Sequence, residues 1–348
     1  MTEPWYATRE DVKSALDSKE TARNDAQVDR AVASASRGID ALCHRRFYPW
    51  TGSRSFPWPD PQMGTSYRLW LDDNELVAVT ALQSGGVAIG ADQYFLEPAN
   101  SGPPFTRIEL DLGGSASFGG GATAQRDIEI SGVFGYRADE SPAGALAGAL
   151  DGTAGTVAVT NSAAVGVGSL LRIGSERLIV TGKTMTPTGQ TLQADIDARA
   201  STAAIPVANG AAFAEGETVL VDAERMRILD VAGNTLIVKR AWDGSALAAH
   251  TTGAVIYAPR TLTLERAAVG TSAASHANGA AVFRHDPPAL VRELCIAEAL
   301  VAVLREGAGY ATRTGSGDNA RETYGGGLPD LREQVYTAHG RKVRKRVI

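Results

Sequence analysis

The chain has 348 residues but only two cysteines, Cys43 and Cys295. Both lie among apolar residues in helical patterns, and free cysteine is often buried as a small hydrophobic side chain. We therefore expect two buried thiols rather than a disulfide. This composition favours synthesis in a reducing cytosol, where disulfides are rare.

Long apolar runs are also missing. No run of about 18 apolar residues occurs, which is the length that a membrane-spanning helix needs. Residues 1–6 lack the basic and apolar segments of a signal peptide. Aromatic residues make up only 6% of the chain, whereas glycine is abundant at 38 residues. The composition favours β turns and loops over the large aromatic core of many enzymes.

The motifs of common enzyme classes are absent from the sequence. It contains no phosphate loop that ends in Gly-Lys-Ser/Thr and no Gly-x-Ser-x-Gly nucleophile elbow. It also lacks His-Glu-x-x-His and paired cysteine motifs, so zinc has none of its usual ligand spacings. We therefore predict a protein that is not an enzyme, with no catalytic residues, no cofactor and no metal.

What the sequence does contain is an internal repeat. Residues 240–254 and 266–280 share Arg, Gly, Ser/Thr, His, Gly and Ala at identical spacing, and each copy follows a short strand pattern. An internal repeat predicts duplicated β units. The repeat places His250 and His276 at the same position of two separate units. This favours a structural role, a hydrogen bond to nearby backbone, over a shared metal site.

A second repeat extends the first. Residues 157–168 match residues 205–216, and the same offset of 48 residues relates Glu176 to Glu224. The order of two front halves followed by two back halves predicts nesting. One unit covers 205–257, inside another that pairs 157–195 with 261–283. We interpret the two glutamates as residues on a strand face and not as an acid/base pair.

Charge is unevenly distributed along the chain. The net charge is −5, while Arg341, Lys342, Arg344, Lys345 and Arg346 carry five positive charges within the last eight residues. The other 340 residues therefore sum to −10, since −5 minus +5 is −10. A basic tail on an acidic body indicates docking on an acidic partner or on nucleic acid. A solvated, disordered end is the alternative.

Periodicity places the remaining elements. Helical patterns cover about 8–16, 25–43, 286–306 and 328–338, and short strand patterns separated by Gly and Pro fill 48–136. We predict an α+β fold: a small helical bundle with a β-strand and hairpin region, plus an inserted all-β domain made of two nested repeats. The first domain would comprise 1–140 and 286–348, and the insert 141–285.

Several segments outside the insert resemble the head–tail adaptor proteins, also called head-completion or connector proteins, of long-tailed bacteriophages. The resemblance covers 5–140 and 286–340, while the insert of about 145 residues is a departure from the family. The matching segments are the helix 25–47 with its final Arg45-Arg46-Phe47, the strands 76–98, the strands 107–110 and 128–136, the helix led by Pro287-Pro288, and the helix that begins at Leu328-Pro329.

The resemblance implies a structural virion protein, made in the host cytoplasm and located in the neck of the particle. A ring of commonly about twelve copies would lie between the portal protein and the next neck or tail protein, a stopper or tail terminator. The ring would extend and seal the DNA channel. DNA would pass without specific recognition, which suits an acidic body because basic surfaces bind DNA strongly. No membrane is implied.

The portal-binding residues that we predict combine the last helix and the basic tail. Whether the tail meets portal protein or DNA stays open. These residues are Leu328, Leu331, Arg341, Lys342, Arg344, Lys345 and Arg346.

A tail-fibre or receptor-binding protein that uses the repeat domain as its binding module is the alternative. The helical ends of the chain count against it. The insert also has only four aromatic residues, too few for a stacking surface: Phe213, Trp242, Tyr257 and Phe283.

Overall fold

The computed structural model describes residues 3–16, 25–59, 65–307, 313–314, 321–322 and 327–341. Its helices are α1 (Arg9–Leu16), α2 (Asp25–Cys43), α3 (Ala289–Gly307) and α4 (Leu328–His339). α2 packs on α3, α1 contacts both of them, and α4 packs against α3 and α2. Thr8 and Asp11 exchange side-chain to backbone hydrogen bonds in a capping box that fixes the start of α1.

One apolar core joins these helices. Val28, Val32 and Ile39 line the buried face of α2, and they share the core with Leu294 of α3 and Val335 of α4. The spacing of the α2 residues is that of a single helical stripe. The stripe brings together segments that lie more than 250 residues apart in the sequence.

Both cysteines belong to this core as free, buried thiols. Burial raises the pKa of each thiol to about 11. Cys295 lies 3.4 Å from the hydroxyl of Ser36, which donates a hydrogen bond to the carbonyl of Val32. The hydroxyl therefore has a partner inside an otherwise apolar interface.

The first β region follows α2 and forms two antiparallel sheets, ordered β1-β7-β3-β4 and β2-β6-β5. Alternate residues of β7, such as Ile128 and Ile130, face a core that also holds Leu76 and Ile108. The strands are β1 (Trp50–Phe56), β2 (Arg68–Trp70), β3 (Leu76–Ser84), β4 (Val87–Ala88), β5 (Tyr94–Glu97), β6 (Arg107–Leu110) and β7 (Ile128–Phe134).

The second β region is one ten-stranded antiparallel sheet, ordered β12-β15-β14-β13-β16-β11-β10-β17-β8, with β9 paired to β16. A separate small pair, β18 (Arg313–Thr314) and β19 (Arg321–Glu322), follows α3. The strands of the large sheet are β8 (Glu140–Ala145), β9 (Thr156–Ala158), β10 (Leu170–Ile173), β11 (Glu176–Thr191), β12 (Ala204–Pro206), β13 (Thr218–Val221), β14 (Glu224–Ala232), β15 (Thr235–Lys239), β16 (Val255–Glu265) and β17 (Ala281–His285).

The predicted fold class was wrong. The protein is mostly β, with 36% of its residues in strands and 23% in helices, and its largest element is the ten-stranded sheet rather than a helical bundle. The physical reason lies in β11 and β16, which are 16 and 11 residues long. Each runs through both repeat copies, so the copies merge edge to edge into one sheet.

The two copies have equivalent strand pairings. Ile173 pairs with Glu176 between β10 and β11, and Val221 pairs with Glu224 between β13 and β14, each 48 residues later. We call residues 140–184 with 261–285 the outer unit and residues 186–258 the inner unit. Each unit has its own apolar core, around Leu171 and Leu178 or around Val219 and Met226. The predicted domain boundaries at 141 and 285 stay a prediction.

Equivalent turns of the two units face the helical body. In the outer unit, residues 267–270 form a tight turn, and Ala268 and Val269 enter the core of the helices together with Leu170 and Ile179. The turn packs against β1 so closely that a Cβ at Gly270, whose φ is +84°, would lie 1.8 Å from the carbonyl oxygen of Thr51. The outer unit is therefore continuous with the helical core.

The inner unit meets the body through polar contacts instead. In its equivalent turn, Asp243 pairs with Lys13 of α1 at 2.9 Å and with Arg225 of its own unit. Among the described residues, the apolar core of the inner unit contains no helix residue. The same turn thus docks one unit by apolar packing and the other by ion pairs.

Candidate functional site

The repeated polar residues meet in two buried clusters. In the outer unit, the wholly buried carboxylate of Glu176 accepts hydrogen bonds from Nε and Nη2 of Arg266 at 2.7 and 2.8 Å. Nε2 of His276 lies 2.8 Å from the same carboxylate. The backbone N–H groups of Ala267 and Ala274 also donate to it, both at 3.1 Å.

The inner unit repeats the arrangement around Glu224. Nε and Nη2 of Arg240 each donate to this carboxylate at 2.7 Å, and the backbone N–H groups of Ala241 and Ala248 complete the set. Nε2 of His250 lies 3.0 Å from Glu224, and its Nδ1 lies 2.6 Å from Asp222. Each glutamate therefore has five partners and no free side that faces solvent.

These clusters correct two interpretations made from the sequence. His250 and His276 bind carboxylates through their rings rather than fixing a turn by bonding backbone, and Glu176 and Glu224 are buried cluster centres rather than strand-face residues. The signal was present in the sequence. Arg, Glu and His all recur with the repeat, and three polar residues duplicated together in two apolar units are each other's natural partners.

The clusters stabilise loops. Nη1 of Arg266 donates to the carbonyls of Asp151 and Ala154, and its Nη2 donates to that of Ala274. A single guanidinium therefore ties three chain segments to one glutamate. Among the residues that the structure describes, no group of three or more His, Cys, Asp and Glu could hold a metal ion.

Acid should weaken both clusters. Burial by itself would raise the pKa of Glu176 and Glu224, but the arginine, histidine and backbone donors outweigh it and lower the pKa of each to about 2. A lowered carboxylate pKa contributes stability that is complete above the unfolded value of 4.5 and is lost as pH falls towards 2. Urea unfolding between pH 7 and pH 2.5 should show this loss. It should be smaller in a Glu224→Gln variant, and an identical pH profile for the variant would contradict the assignment.

The predicted portal-binding residues do not form one surface. Leu328 and Leu331 pack, half-buried, against the core of the helices. Arg341 turns towards the β region, where its backbone N–H donates to the carbonyl of Cys43 and its guanidinium contacts Asp73 and Glu75. The other four predicted residues, Lys342, Arg344, Lys345 and Arg346, lie outside the described part of the chain.

Arg341 leads into an open cavity of about 820 Å³ between the end of α2, β1 and the turn before β3. We call it the arginine cavity. Of the described residues, its walls include five arginines and four carboxylates, together with aromatic rings. The charged residues are Arg37, Arg45, Arg46, Arg54, Arg341, Glu3, Asp40, Asp73 and Glu75.

Four of the arginines already have carboxylate partners. Buried Glu75 bridges Arg45 at 3.1 Å and Arg341 at 3.4 Å. Glu3 pairs with Arg46 at 3.4 Å and also contacts Arg37. These pairs hold the walls of the cavity in a fixed geometry.

Arg37 also pairs with Asp40, at 3.2 Å. Burial raises the pKa of Asp40 to about 6, although the hydroxyl of Tyr6 and the guanidinium of Arg37 oppose the shift. The carboxylate of Asp40 is therefore the wall charge that titrates closest to neutral pH.

Arg54 differs from the other four. Its guanidinium lies over the rings of Trp50 and Phe134, at 4.7 and 5.4 Å from their centroids, and no carboxylate of the described residues pairs with it. Burial, followed by the nearby charge of Arg46, lowers the pKa of Arg54. Arg54, Arg45 and Arg341 each have a buried Nε without a hydrogen-bond partner in the described structure.

Sequence reasoning missed this cavity. Arg45 and Arg46 were noticed only as the end of a helix, and the sequence patterns did not relate them to Arg54 or Glu75. No local pattern predicts the site, because its residues come from three separate parts of the chain. None of the described helices is long and apolar enough to span a membrane. Comparison of the chain with protein-family models, curated proteins and solved structures found no match.

Proposed function

We propose that this chain is a structural protein of a bacteriophage neck, a head–tail adaptor that forms a ring between the portal and the tail. The role is mechanical: the ring extends the DNA channel, seals it, and presents a surface to the next neck protein. The resemblance of residues 5–140 and 286–340 to adaptor proteins is the starting point of this proposal.

One buried aromatic cluster carries the proposal furthest. Phe47, Tyr136 and His339 come from three of the separate segments that resemble adaptors, and their rings lie 5.2–6.0 Å apart. The hydroxyl of Tyr136 lies 3.2 Å from Nδ1 of His339. Next to them, Nε2 of His285 lies 2.8 Å from the carbonyl of Phe47. The matching segments therefore meet in one body, despite the insert between them.

Charge supports the mechanical role. Outside the last eight residues the chain sums to −10. A channel protein that must release DNA rapidly gains from an acidic body, because neutralising phosphates with Lys and Arg produces tight, salt-dependent binding.

Particle necks that contain this chain should test the proposal. We expect mass measurement and electron microscopy to show a ring with a central hole and as many copies as the portal has subunits, about twelve, since heterologous contacts close by rotation. A single copy per particle, or a trimeric rod, would contradict it.

The basic tail gives a second measurement on the same particles. Replacing Lys342, Arg344, Lys345 and Arg346 with glutamine keeps the chain length and removes four charges. We expect filled heads that leak DNA or lack tails. The matched control removes the exposed charges of Arg199 and Arg225 in the insert and should leave the particles tailed.

A further inference from the structure

We propose that the arginine cavity binds a carboxylate side chain from an acidic segment of a partner protein, and that Arg54 is the residue that pairs with it. Nothing in the adaptor proposal assigns a ligand to this cavity. The inference does not depend on that proposal, because it follows from the cavity itself and its test uses the purified chain.

The charges of the cavity select the ligand. Glu3, Asp40, Asp73 and Glu75 already pair with Arg37, Arg45, Arg46 and Arg341, so Arg54 remains as the unpaired positive charge among the described wall residues. One carboxylate would balance it. A phosphate dianion or a DNA strand would bring more negative charge into a cavity whose walls already hold four carboxylates, and Asp73 at the rim would repel it.

The geometry of Arg54 prepares it for a carboxylate. Trp50 and Phe134 flank its guanidinium, which restricts the side chain before the ligand arrives. A planar guanidinium presents parallel N–H donors that match the two oxygens of a carboxylate. Restriction by aromatic rings lowers the entropy that binding must otherwise overcome.

The unpaired buried donors add to the driving force. The Nε groups of Arg45, Arg54 and Arg341 have lost water without gaining a partner, which is costly for a polar group. A ligand carboxylate that enters the cavity brings two acceptor oxygens close to these donors. The volume of about 820 Å³ is also ample for a glutamate or aspartate side chain with part of its backbone.

Titration calorimetry of the full chain with a hexaglutamate peptide tests the inference. We expect binding at one site per chain. Arg54→Gln should weaken it roughly tenfold or more, since a charge-assisted hydrogen bond is lost. Arg54→Lys should weaken it too, because an ammonium group cannot bind a carboxylate through two parallel donors. Arg199→Gln, which removes an exposed arginine outside the cavity, is the control and should bind as the parent chain does.

Asp73→Asn separates loss of the site from damage to the fold. Its side chain is 89% exposed and pairs with Arg341, so removing its charge leaves the packing intact and frees one wall arginine. We expect hexaglutamate to bind roughly two- to fivefold more tightly, the range that an exposed ion pair accounts for. A misfolded variant would not gain affinity.

Hexaglutamine and inorganic phosphate complete the experiment. The neutral peptide should not bind, and phosphate should bind more weakly than hexaglutamate. The inference is overturned if hexaglutamate does not bind, if Arg54→Gln leaves its affinity unchanged, or if phosphate binds more tightly in an Arg54-dependent way. That last result would make the cavity a phosphate site. Each result is independent of whether the chain forms a ring.

Discussion

Replacing Glu224 with glutamine is expected to lower the free energy of unfolding of the inner unit by about 3–5 kcal/mol, the cost of breaking a buried ion pair by removing one partner. Glutamine has nearly the same size, so packing around Val219 and Met226 is retained. The loss comes from electrostatics, because the guanidinium of Arg240 would remain buried without its carboxylate.

Hydrogen bonding makes the substitution worse than simple neutralisation. The carboxylate of Glu224 accepts from Arg240, from His250 and from two backbone N–H groups. An amide group keeps one acceptor oxygen and replaces the other with a donor. At least one of these groups is therefore left facing another donor inside the unit.

Urea unfolding followed by hydrogen exchange measures the effect and its location. Amides of residues 186–258 should exchange faster, whereas those of α2 and α3 should not, because the inner unit has its own apolar core. Glu215→Gln removes an exposed carboxylate of the same unit and should change stability by no more than about 0.5 kcal/mol. Equal effects of the two substitutions would disprove the burial argument.

Much of the local structure follows from the sequence. The capping pair of Thr8 and Asp11, the stripe from Val28 to Ile39 and the two buried cysteines all depend on residues close together in the chain or on composition. Such features are set by the helical period and by side-chain chemistry, which a single sequence displays directly.

The errors came from contacts between distant residues. The fold class was wrong because periodicity locates strands but does not show that β11 and β16 continue from one unit into the other and join both in one sheet. The buried role of Glu176 was missed because the repeat was examined for a shared metal and not for partners within one unit. Arg266 lies 90 residues away from Glu176, beyond any local pattern.

The arginine cavity shows the same limit at a candidate site. Among its residues, Arg45 and Arg54 come from the first β region and the helix before it, while Arg341 follows α4. Their charges are visible in the sequence, but which arginine lacks a carboxylate depends on the packing of three segments. A functional hypothesis for Arg54 therefore requires the three-dimensional structure.

Glu176→Gln is expected to destabilise by a similar amount, about 3–5 kcal/mol, but to spread further than Glu224→Gln. Glu176 accepts a hydrogen bond from the backbone N–H of Ala267, at the start of the turn that places Ala268 and Val269 in the core of the helices. Loss of the carboxylate leaves Arg266 uncompensated and releases that turn.

The consequence reaches the helical body because the two cores are continuous at this point. Leu170 and Ile179 of the outer unit share the core with α2 and α3, so loosening the turn removes packing from both sides. Hydrogen exchange should accelerate in residues 25–43 and 289–306 as well as in the outer unit. The Glu224→Gln variant is the matched control, since it breaks an equivalent cluster that contacts α1 only through polar groups such as Lys13 and Asp243. If both variants leave exchange in α2 and α3 unchanged, the outer unit is not structurally coupled to the helices, and the insert behaves as a domain independent of the body.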